Sequence, residues 1–423
     1  MILYKGKLLE NETQANMLKS LKDDCYQTLK NGLKIDPMVV IEACDKLAKK
    51  VRNGEYNSIV TPLLNAFDIP YDYFVQSISM FEKEALIHKC RVELGEDFLS
   101  PKDLNDQTKR RIYPLGILFH IAAGNIDALP AYSVIEGLLA GNINILKLPS
   151  GDVGVSVKLL HELIQIEPKL TEFIYVFDVP STEVESIKAL AEIADGIVVW
   201  GGDVAVKAAY QMASVTQKII PWGHKLSFAY ATPNCTDDDL EALVHHICET
   251  NQVLCSSAQG IFLDTNDLEV LNTFADRFYH IFDRVSKTHK EVPIGMRGRN
   301  NIELYYESLI QKETEKRILK GKGFSVVSSK DNDLTLSMLF RNVWVKRLPR
   351  DEIITNLKPH KNHLQTVALM CLDKDLDDLS NRLASAGLVR ITKPIDMSRM
   401  NVGEAHDGTY ALREYTRIVE IRK

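Results

Sequence analysis

Between residues 12 and 100, apolar side chains recur every three or four positions among polar ones, which predicts helices over Ala15–Leu29, Pro37–Arg52 and Tyr71–Val92. No catalytic motif falls in this stretch. From about residue 113 the rhythm changes to short, nearly continuous apolar runs that alternate with amphipathic stretches. The predicted order is strand Gly116–Ala122, helix Ala131–Ala140, strand Asn144–Leu148, helix Val155–Ile166, strand Phe173–Phe177, helix Glu183–Ala194, strand Gly196–Trp200, helix Val204–Ala213 and strand Lys218–Pro221. Apolar strands separated by helices predict an α/β fold with a doubly wound parallel sheet, which binds ligands at the carboxyl ends of its strands.

A second run of the same kind follows. Strand Leu226–Tyr230 leads to a helix opened by Thr236-Asp237-Asp238-Asp239, a capping-box-like start, with Leu240, Leu243, Val244 and Ile247 on one face. That helix delivers the chain to the loop Asn251-Gln252-Val253-Leu254-Cys255-Ser256-Ser257. Strand Ile261–Leu263, helix Leu268–Val285 and further units through Val367–Cys371 and Leu376–Ala386 come after it. The expected division is a helical region over 1–104 packed on a nucleotide-binding domain over 105–225, a second α/β domain over 226–400 facing the first across a cleft, and a closing segment over 401–423. Its last part, Tyr415–Ile421, reads as a strand able to pair with another chain or domain.

Composition narrows this reading without changing it. With 45% hydrophobic and 26% charged residues, the 423-residue chain can bury a large core. Its apolar runs fall short of the roughly 20 residues of a membrane span, and Met1–Lys7 lacks the pattern of a signal peptide, so a cytoplasmic protein is expected. Seven scattered cysteines without a C-x-x-C pair fit neither a disulfide framework nor a zinc knuckle. A net charge of −6 without a long basic run argues against general affinity for nucleic acid.

The candidate chemistry centres on Cys255. A loop cysteine is most often structural, but this one follows a helix end and precedes Ser256-Ser257-Ala258-Gln259-Gly260, whose backbone amides could turn toward a substrate oxygen. Upstream, the buried strand in Gly116–Ala122 ends in Gly124-Asn125, and the Asn125 amide can complete an oxyanion hole as well as cap the helix that follows. Lys147 stands at the carboxyl end of a buried strand, where a ribose or phosphate lies in such sheets. Gly201-Gly202, between strand and helix, permits close approach of a pyrophosphate, although no complete G-x-G-x-x-G is present. His245, His246 and Cys248 share a helix but do not converge, so no metal site is expected. His406, in His406-Asp407-Gly408, is a turn residue that could also serve as acid or base.

Taken in order, Gly-Asn after a strand, Gly141-Asn142 through Lys147-Leu148-Pro149-Ser150, strand-Gly201-Gly202, Gly223-His224-Lys225 before a strand and Gln252 near Cys255 resemble the aldehyde dehydrogenase superfamily. More closely, Phe119–Ser150, Asn251–Gln259 and Asn401–Ile421 resemble the LuxC-like fatty-acyl-CoA reductases, over about residues 105–423. The resemblance implies that Cys255 takes an acyl group, Asn125 helps hold the oxyanion, Lys147 meets the adenosine ribose and Gly201 lies under the pyrophosphate. Where NAD-preferring members carry a glutamate, this chain has Ser150, which removes repulsion of a 2′-phosphate and makes NADPH the expected cofactor, with NADH the alternative. No metal is implied.

The departures from the superfamily carry as much information. The motif Glu-Leu-Gly-Gly-Lys, whose glutamate activates water, is here Pro221-Trp222-Gly223-His224-Lys225, and Glu-x-Phe-Gly-Pro has Ser337-Met338-Leu339-Phe340-Arg341 as its best counterpart. One extra residue separates Gln252 from Cys255. An acyl-cysteine without a water-activating carboxylate persists until hydride or another thiol arrives, so the expected reaction is NADPH-dependent reduction of a fatty acyl thioester to aldehyde. The donor would be acyl-CoA or an acylated protein, with a homo-oligomer and an acyl-transferring protein partner expected from the resemblance. The alternatives are an aldehyde dehydrogenase, CoA-acylating or hydrolytic, and a non-redox acyl-transfer or assembly subunit.

Overall fold

The computed structural model describes residues 1–423 except 68–70, 72–73, 75–77, 100–102, 104, 106, 123–128, 151, 153, 315, 400 and 423. The chain forms two compact units, Met1–Gly223 with Asn401–Lys423, and His224–Met400. The first begins with a hairpin, β1 (Ile2–Tyr4) and β2 (Lys7–Leu9), followed by helices α1 (Gln14–Lys30), α2 (Pro37–Arg52), α3 (Asn57–Phe67) and α4 (Lys83–Leu94). Strand β3 (Thr108–Pro114) leads into the alternating run β4 (Ile117–Ile121), α5 (Leu129–Leu139), β5 (Ile143–Lys147), α6 (Val155–Ile166), β6 (Ile174–Phe177), α7 (Val184–Ile193), β7 (Gly196–Trp200), α8 (Asp203–Met212) and β8 (Lys218–Trp222).

These strands form one sheet in the order β2-β1-β6-β5-β4-β7-β8. Strands β4 to β8 are mutually parallel, and the hairpin joins through an antiparallel contact of β1 with β6. β5, β6 and β7 are buried at every position, as their continuous apolar sequences require when helices cover both faces. Helix α5 comes close to the sheet at Gly137, where a Cβ would fall 1.8 Å from the Asn144 side chain. The Asn144 Oδ1 accepts from His120 Nε2 at 3.0 Å, while His120 Nδ1 lies 2.7 Å from Ser133 Oγ, so a fully buried imidazole is satisfied at both nitrogens.

The second unit repeats the plan with β9 (Leu226–Ala231), α9 (Asp237–Thr250), β10 (Ala258–Leu263), α10 (Leu268–Ser286), α11 (Ile294–Thr314), β11 (Lys316–Gly321), β12 (Phe324–Ser329), β13 (Asn342–Arg347), α12 (Ile353–Leu357), β14 (Leu364–Met370), α13 (Asp373–Ala386) and β15 (Arg390–Thr392). The sheet order is β11-β12-β13-β10-β9-β14-β15, parallel except for the β11–β12 hairpin. One apolar cluster fills each of its faces: Leu243, Phe278 and Phe282 belong to the first, Phe228, Trp344 and Leu383 to the second. The chain then returns to the first unit through α14 (Ala411–Glu414) and β16 (Thr416–Arg422), which pairs antiparallel with β3 from Thr416 opposite Pro114 to Arg422 opposite Thr108.

One expectation needs correction. The predicted helix Tyr71–Val92 does not run through: Ser79–Phe81 is a 3-10 turn, Glu82 is extended with ψ 156°, and α4 starts afresh at Lys83. The break is stabilised from outside the segment, since Asp45 on α2 accepts a hydrogen bond from the Lys83 N–H at 3.1 Å. Part of that prediction, at 72–73 and 75–77, lies outside the described residues. The terminal strand Thr416–Arg422, expected to pair with another chain or domain, pairs with β3 of the first unit over seven residues in register.

The C-terminal return is fixed by a buried charge cluster. Lys89 Nζ lies 2.5 Å from Glu93 and 2.9 Å from Glu136 on α5, all three being nearly inaccessible, and the second Glu93 oxygen accepts from the Leu412 N–H at 2.8 Å. Removing the cation leaves two buried carboxylates without compensation. Lys89→Ala should therefore lower the unfolding free energy by about 3–5 kcal/mol, measured by urea denaturation.

Candidate active site

Cys255 is presented by a short loop that every neighbouring element helps to hold. Helix α9 ends where Asn251 and Gln252 turn left-handed, at φ 47° and 65°. A β-turn follows: the Ser257 N–H donates to the Leu254 carbonyl (2.9 Å) and the Leu254 N–H to Ser257 Oγ (3.0 Å), placing Cys255 and Ser256 at the two central positions. The Cys255 carbonyl accepts a 2.7 Å hydrogen bond from Ser227 Oγ on β9, and the same oxygen of Ser227 accepts from the Thr366 N–H of β14 at 3.1 Å.

Beneath the turn lies a buried amide network. Gln252 is 1% exposed, and its Nε2 lies 3.1–3.3 Å from the Ala258, Gln259 and Asn342 carbonyls and Ser337 Oγ. Gln259 returns the contact, donating to the Gln252 carbonyl (3.1 Å) and accepting from Ser337 N (3.1 Å) and Oγ (2.8 Å). Ser337 opens the segment in which Leu339, Phe340 and Arg341 are all left-handed, at φ 56°, 46° and 70°. Three such non-glycine residues in succession are costly. They are held by the Phe340 N–H to the Asn251 carbonyl (3.0 Å) and by the Arg341 guanidinium to the Lys290 carbonyl (2.7 Å).

No cysteine is in a disulfide, and Cys255 alone among the seven is exposed. Burial pushes the thiols of Cys25, Cys44 and Cys90 up to about 12 and those of Cys235 and Cys248 up to about 11, which leaves them inert as nucleophiles. His246 is buried on α9. Its Nε2 accepts from the Ala258 N–H at 3.2 Å, and its Nδ1 lies 2.8 Å from Ser398 Oγ, so it braces the head of β10 as a neutral ring. His245 points to the other side and meets His289 at 2.8 Å, and among the described residues no group of three metal-ligating side chains converges.

In the first unit, Lys147 ends β5 almost wholly buried, with its Nζ donating to the Leu148 carbonyl at 2.9 Å, and burial lowers its pKa. Ser150 Oγ lies 3.3 Å from Ser181 Oγ. A cavity of about 200 Å³ at the ends of β5 and β6 is lined by Leu148, Gly154, Lys158 and Asp178 among others. Gly201 has no room for a Cβ, which would fall 2.9 Å from the Ala205 side chain, whereas Gly202 faces open space. His406 rests against Trp200 and Trp222, ring centres 5.3 and 5.1 Å away, and those two indoles stack at 5.4 Å. Asn125 lies outside the described residues.

Comparison with known proteins decides the family. Residues 34–418 match the family model described as acyl-CoA reductase (LuxC). The chain belongs to the LuxC family. Among relatives of this LuxC member is the long-chain acyl-protein thioester reductase of Aliivibrio fischeri, 26% identical over 317 residues, or 72% of this chain and 64% of that one. The chain thus spans less than two thirds of the length of the first curated relatives it matches. The fold is that of aldehyde dehydrogenases: 3,6-anhydro-L-galactose dehydrogenase in complex with NAP superposes with a TM-score of 0.72 at 13% identity, covering 100% of this chain and 99% of that one. Glyceraldehyde-3-phosphate dehydrogenase GapN from Methanocaldococcus jannaschii, complexed with NADP, gives 0.71 at 14% identity over 99% and 95%.

What sequence reasoning missed in this LuxC member is the support of the cysteine loop. Ser227 is the one small polar side chain in the buried strand Leu226–Ala231, a signal that the hydroxyl has a specific partner. The Gln252–Gln259–Ser337 network joins segments too far apart in sequence to be paired by eye.

The buried histidines give a pH dependence with a definite sign. Burial pushes both His120 and His246 down to about 4, below the roughly 6.5 of an unfolded chain. The unfolded state therefore binds more protons between those values. The stabilisation is fully present above pH ~6.5 and is lost as pH falls toward 4, by about 2 kcal/mol per histidine at pH 5. Urea unfolding at pH 7 and pH 5 should show this loss, and His246→Gln should remove about half of the difference.

Proposed function

We propose that the chain is an acyl thioester reductase in which Cys255 is the nucleophile and the product is a fatty aldehyde. The observation that carries this reading is the exposed Cys255 on a rigidly held turn, in a LuxC family member with similarity to proteins named long-chain acyl-protein thioester reductase. The Cys255 thiolate attacks the thioester carbonyl carbon, a new S–C bond forms, and the carbonyl π electrons move to oxygen. Collapse of that oxyanion breaks the bond to the donor sulfur, which leaves as a thiolate, CoA or a protein thiol. Asn125 and backbone amides of the turn stabilise the charge on oxygen.

The absence of a carboxylate in Pro221–Lys225 favours reduction over hydrolysis, since the glutamate that activates water in the superfamily motif is not among these residues. His406 is retained as a candidate proton donor to the departing group. The residues of the first unit fit a nicotinamide nucleotide: a buried lysine with one carbonyl acceptor at a strand end, and a glycine facing open space before α8. When bound, that nucleotide supplies the hydride that takes the acyl group to the aldehyde level. In this reading residues 105–225 form the nucleotide-binding domain with 1–104 packed on it, 226–400 carry the nucleophile, and 401–423 provide a contact between copies, supported by the exposure of Ile418 and Ile421 on β16.

NADPH is supported by Ser150 and its neighbour Ser181, hydroxyls where a carboxylate would repel a 2′-phosphate, and by the NADP complex of the fold neighbour GapN. Asp178, a carboxylate lining the nearby cavity, favours NADH as the second reading. An acyl-CoA and an acylated protein both fit as donor. Among the described residues no helix is long and apolar enough to cross a membrane.

Two outcomes are expected. Supplied with a long-chain acyl thioester and NADPH, the protein should release aldehyde, and Cys255→Ala should lower that rate at least about a thousandfold with an unchanged urea midpoint; efficient oxidation of aldehyde without CoA would instead favour the hydrolytic reading. Ser150→Glu should weaken NADPH binding about tenfold in a fluorescence titration while sparing NADH.

A further inference from the structure

The peptide group joining Cys255 to Ser256 is the central peptide of the β-turn Leu254–Ser257, and its orientation is fixed from one side only. Its carbonyl is directed at Ser227 Oγ, 2.7 Å away and fully buried between β9 and β14. In a trans peptide the carbonyl and the following N–H point in opposite directions, and no cis peptide occurs among the described residues. The Ser256 N–H is therefore directed away from the sheet, and it makes no hydrogen bond within the described residues. Rotating this peptide by half a turn would give the other common turn type, which requires positive φ at the third position. Ser256 is not among the residues with positive φ.

Ser227 occupies an irregularity of the sheet. The register of β9 against β14 shifts between Leu364 and Val367, and that against β10 shifts between Ala258 and Ile261. At this place the Thr366 N–H has a side-chain oxygen as its acceptor, that of Ser227. One hydroxyl thus accepts from one strand and donates to the residue that carries the nucleophile.

We infer that Ser227 is a positioning residue that aims the Ser256 backbone N–H as a donor to the oxyanion formed when Cys255 is acylated, an inference that rests on the acyl-cysteine reading above. The amide following a nucleophile is well placed for this, because the oxygen of the tetrahedral adduct lies two bonds from the attacking sulfur; hydrolases with a nucleophile elbow use the same position. The step requires no further reagent. As the S–C bond forms, the carbonyl electron pair moves to oxygen and is met by the N–H; as the donor C–S bond breaks, the pair returns and the donor sulfur leaves with the electrons of the broken bond.

The test compares two reactions of the same thiol in Ser227→Ala: single-turnover acylation by palmitoyl-CoA, which forms an oxyanion, and alkylation by iodoacetamide, which does not. The expected result is acylation slowed about ten- to a hundredfold with alkylation unchanged. Loss of both rates in parallel would make Ser227 a support for the thiol alone and overturn the inference, as would acylation at the wild-type rate. Ser227→Thr and Ser227→Val, which differ from each other only in hydroxyl against methyl, repeat the comparison if the alanine variant does not fold; threonine should restore acylation and valine should not. Wild-type protein that accepts no acyl group from any thioester would remove the proposed function itself, whereas acylation of wild type and Ser227→Ala at equal rates would remove only the role of Ser227.

Discussion

A buried amide N–H must find its acceptor in the protein, and the arrangement around Cys255 depends on how the side-chain NH2 of Gln252 meets that demand. Its two N–H protons lie among four acceptors drawn from the start of β10, the start of β13 and the loop between β12 and β13. Losing a buried donor's partners costs on the order of 1–3 kcal/mol, so these segments cannot drift apart independently. The same amide explains why Gln252 tolerates a left-handed backbone, and why the left-handed run at Leu339–Arg341 persists: Ser337, two residues before that run, is bonded to both Gln252 and Gln259.

Rigidity beneath the cysteine has a chemical meaning. An exposed thiol on a mobile loop would be a general target for oxidants and alkylating agents, whereas one whose carbonyl is tied to Ser227 offers a fixed direction of attack. His246 contributes from the other side by accepting the first N–H of β10. In the first unit the polar groups are of another kind: a buried lysine at a strand end, paired serine hydroxyls and a glycine facing open space suit an anionic, hydroxyl-rich ligand better than an acyl chain. The proposed function accordingly assigns nucleotide and acyl group to different parts of the chain.

The fold was largely legible because its dominant signals are local. Continuous apolar runs and helical spacing gave Pro37–Arg52, Val155–Ile166 and Gly196–Trp200 to the residue, since burial on both faces of a sheet leaves little freedom in such strands. The N-terminal hairpin was missed because strands of three residues, Ile2–Tyr4 and Lys7–Leu9, are too short to establish alternation. The break before α4 was missed because Asp45, which caps it, lies 38 positions away. The site divides in the same way. Cys255 stood out as a candidate from its own neighbourhood, but the support of its loop was not legible, for Ser227 is 28 residues from the cysteine it holds and 139 from the strand that holds it.

The most direct measurement is the mass of the purified protein after brief exposure to a long-chain acyl thioester, with the modified peptide sequenced and the experiment repeated with a chase of NADPH. The account predicts one acyl group, located on Cys255, that survives in buffer and disappears on addition of NADPH as aldehyde is released. An acyl group located on any other residue, or one lost from Cys255 to water as free acid at the same rate with and without NADPH, would contradict it.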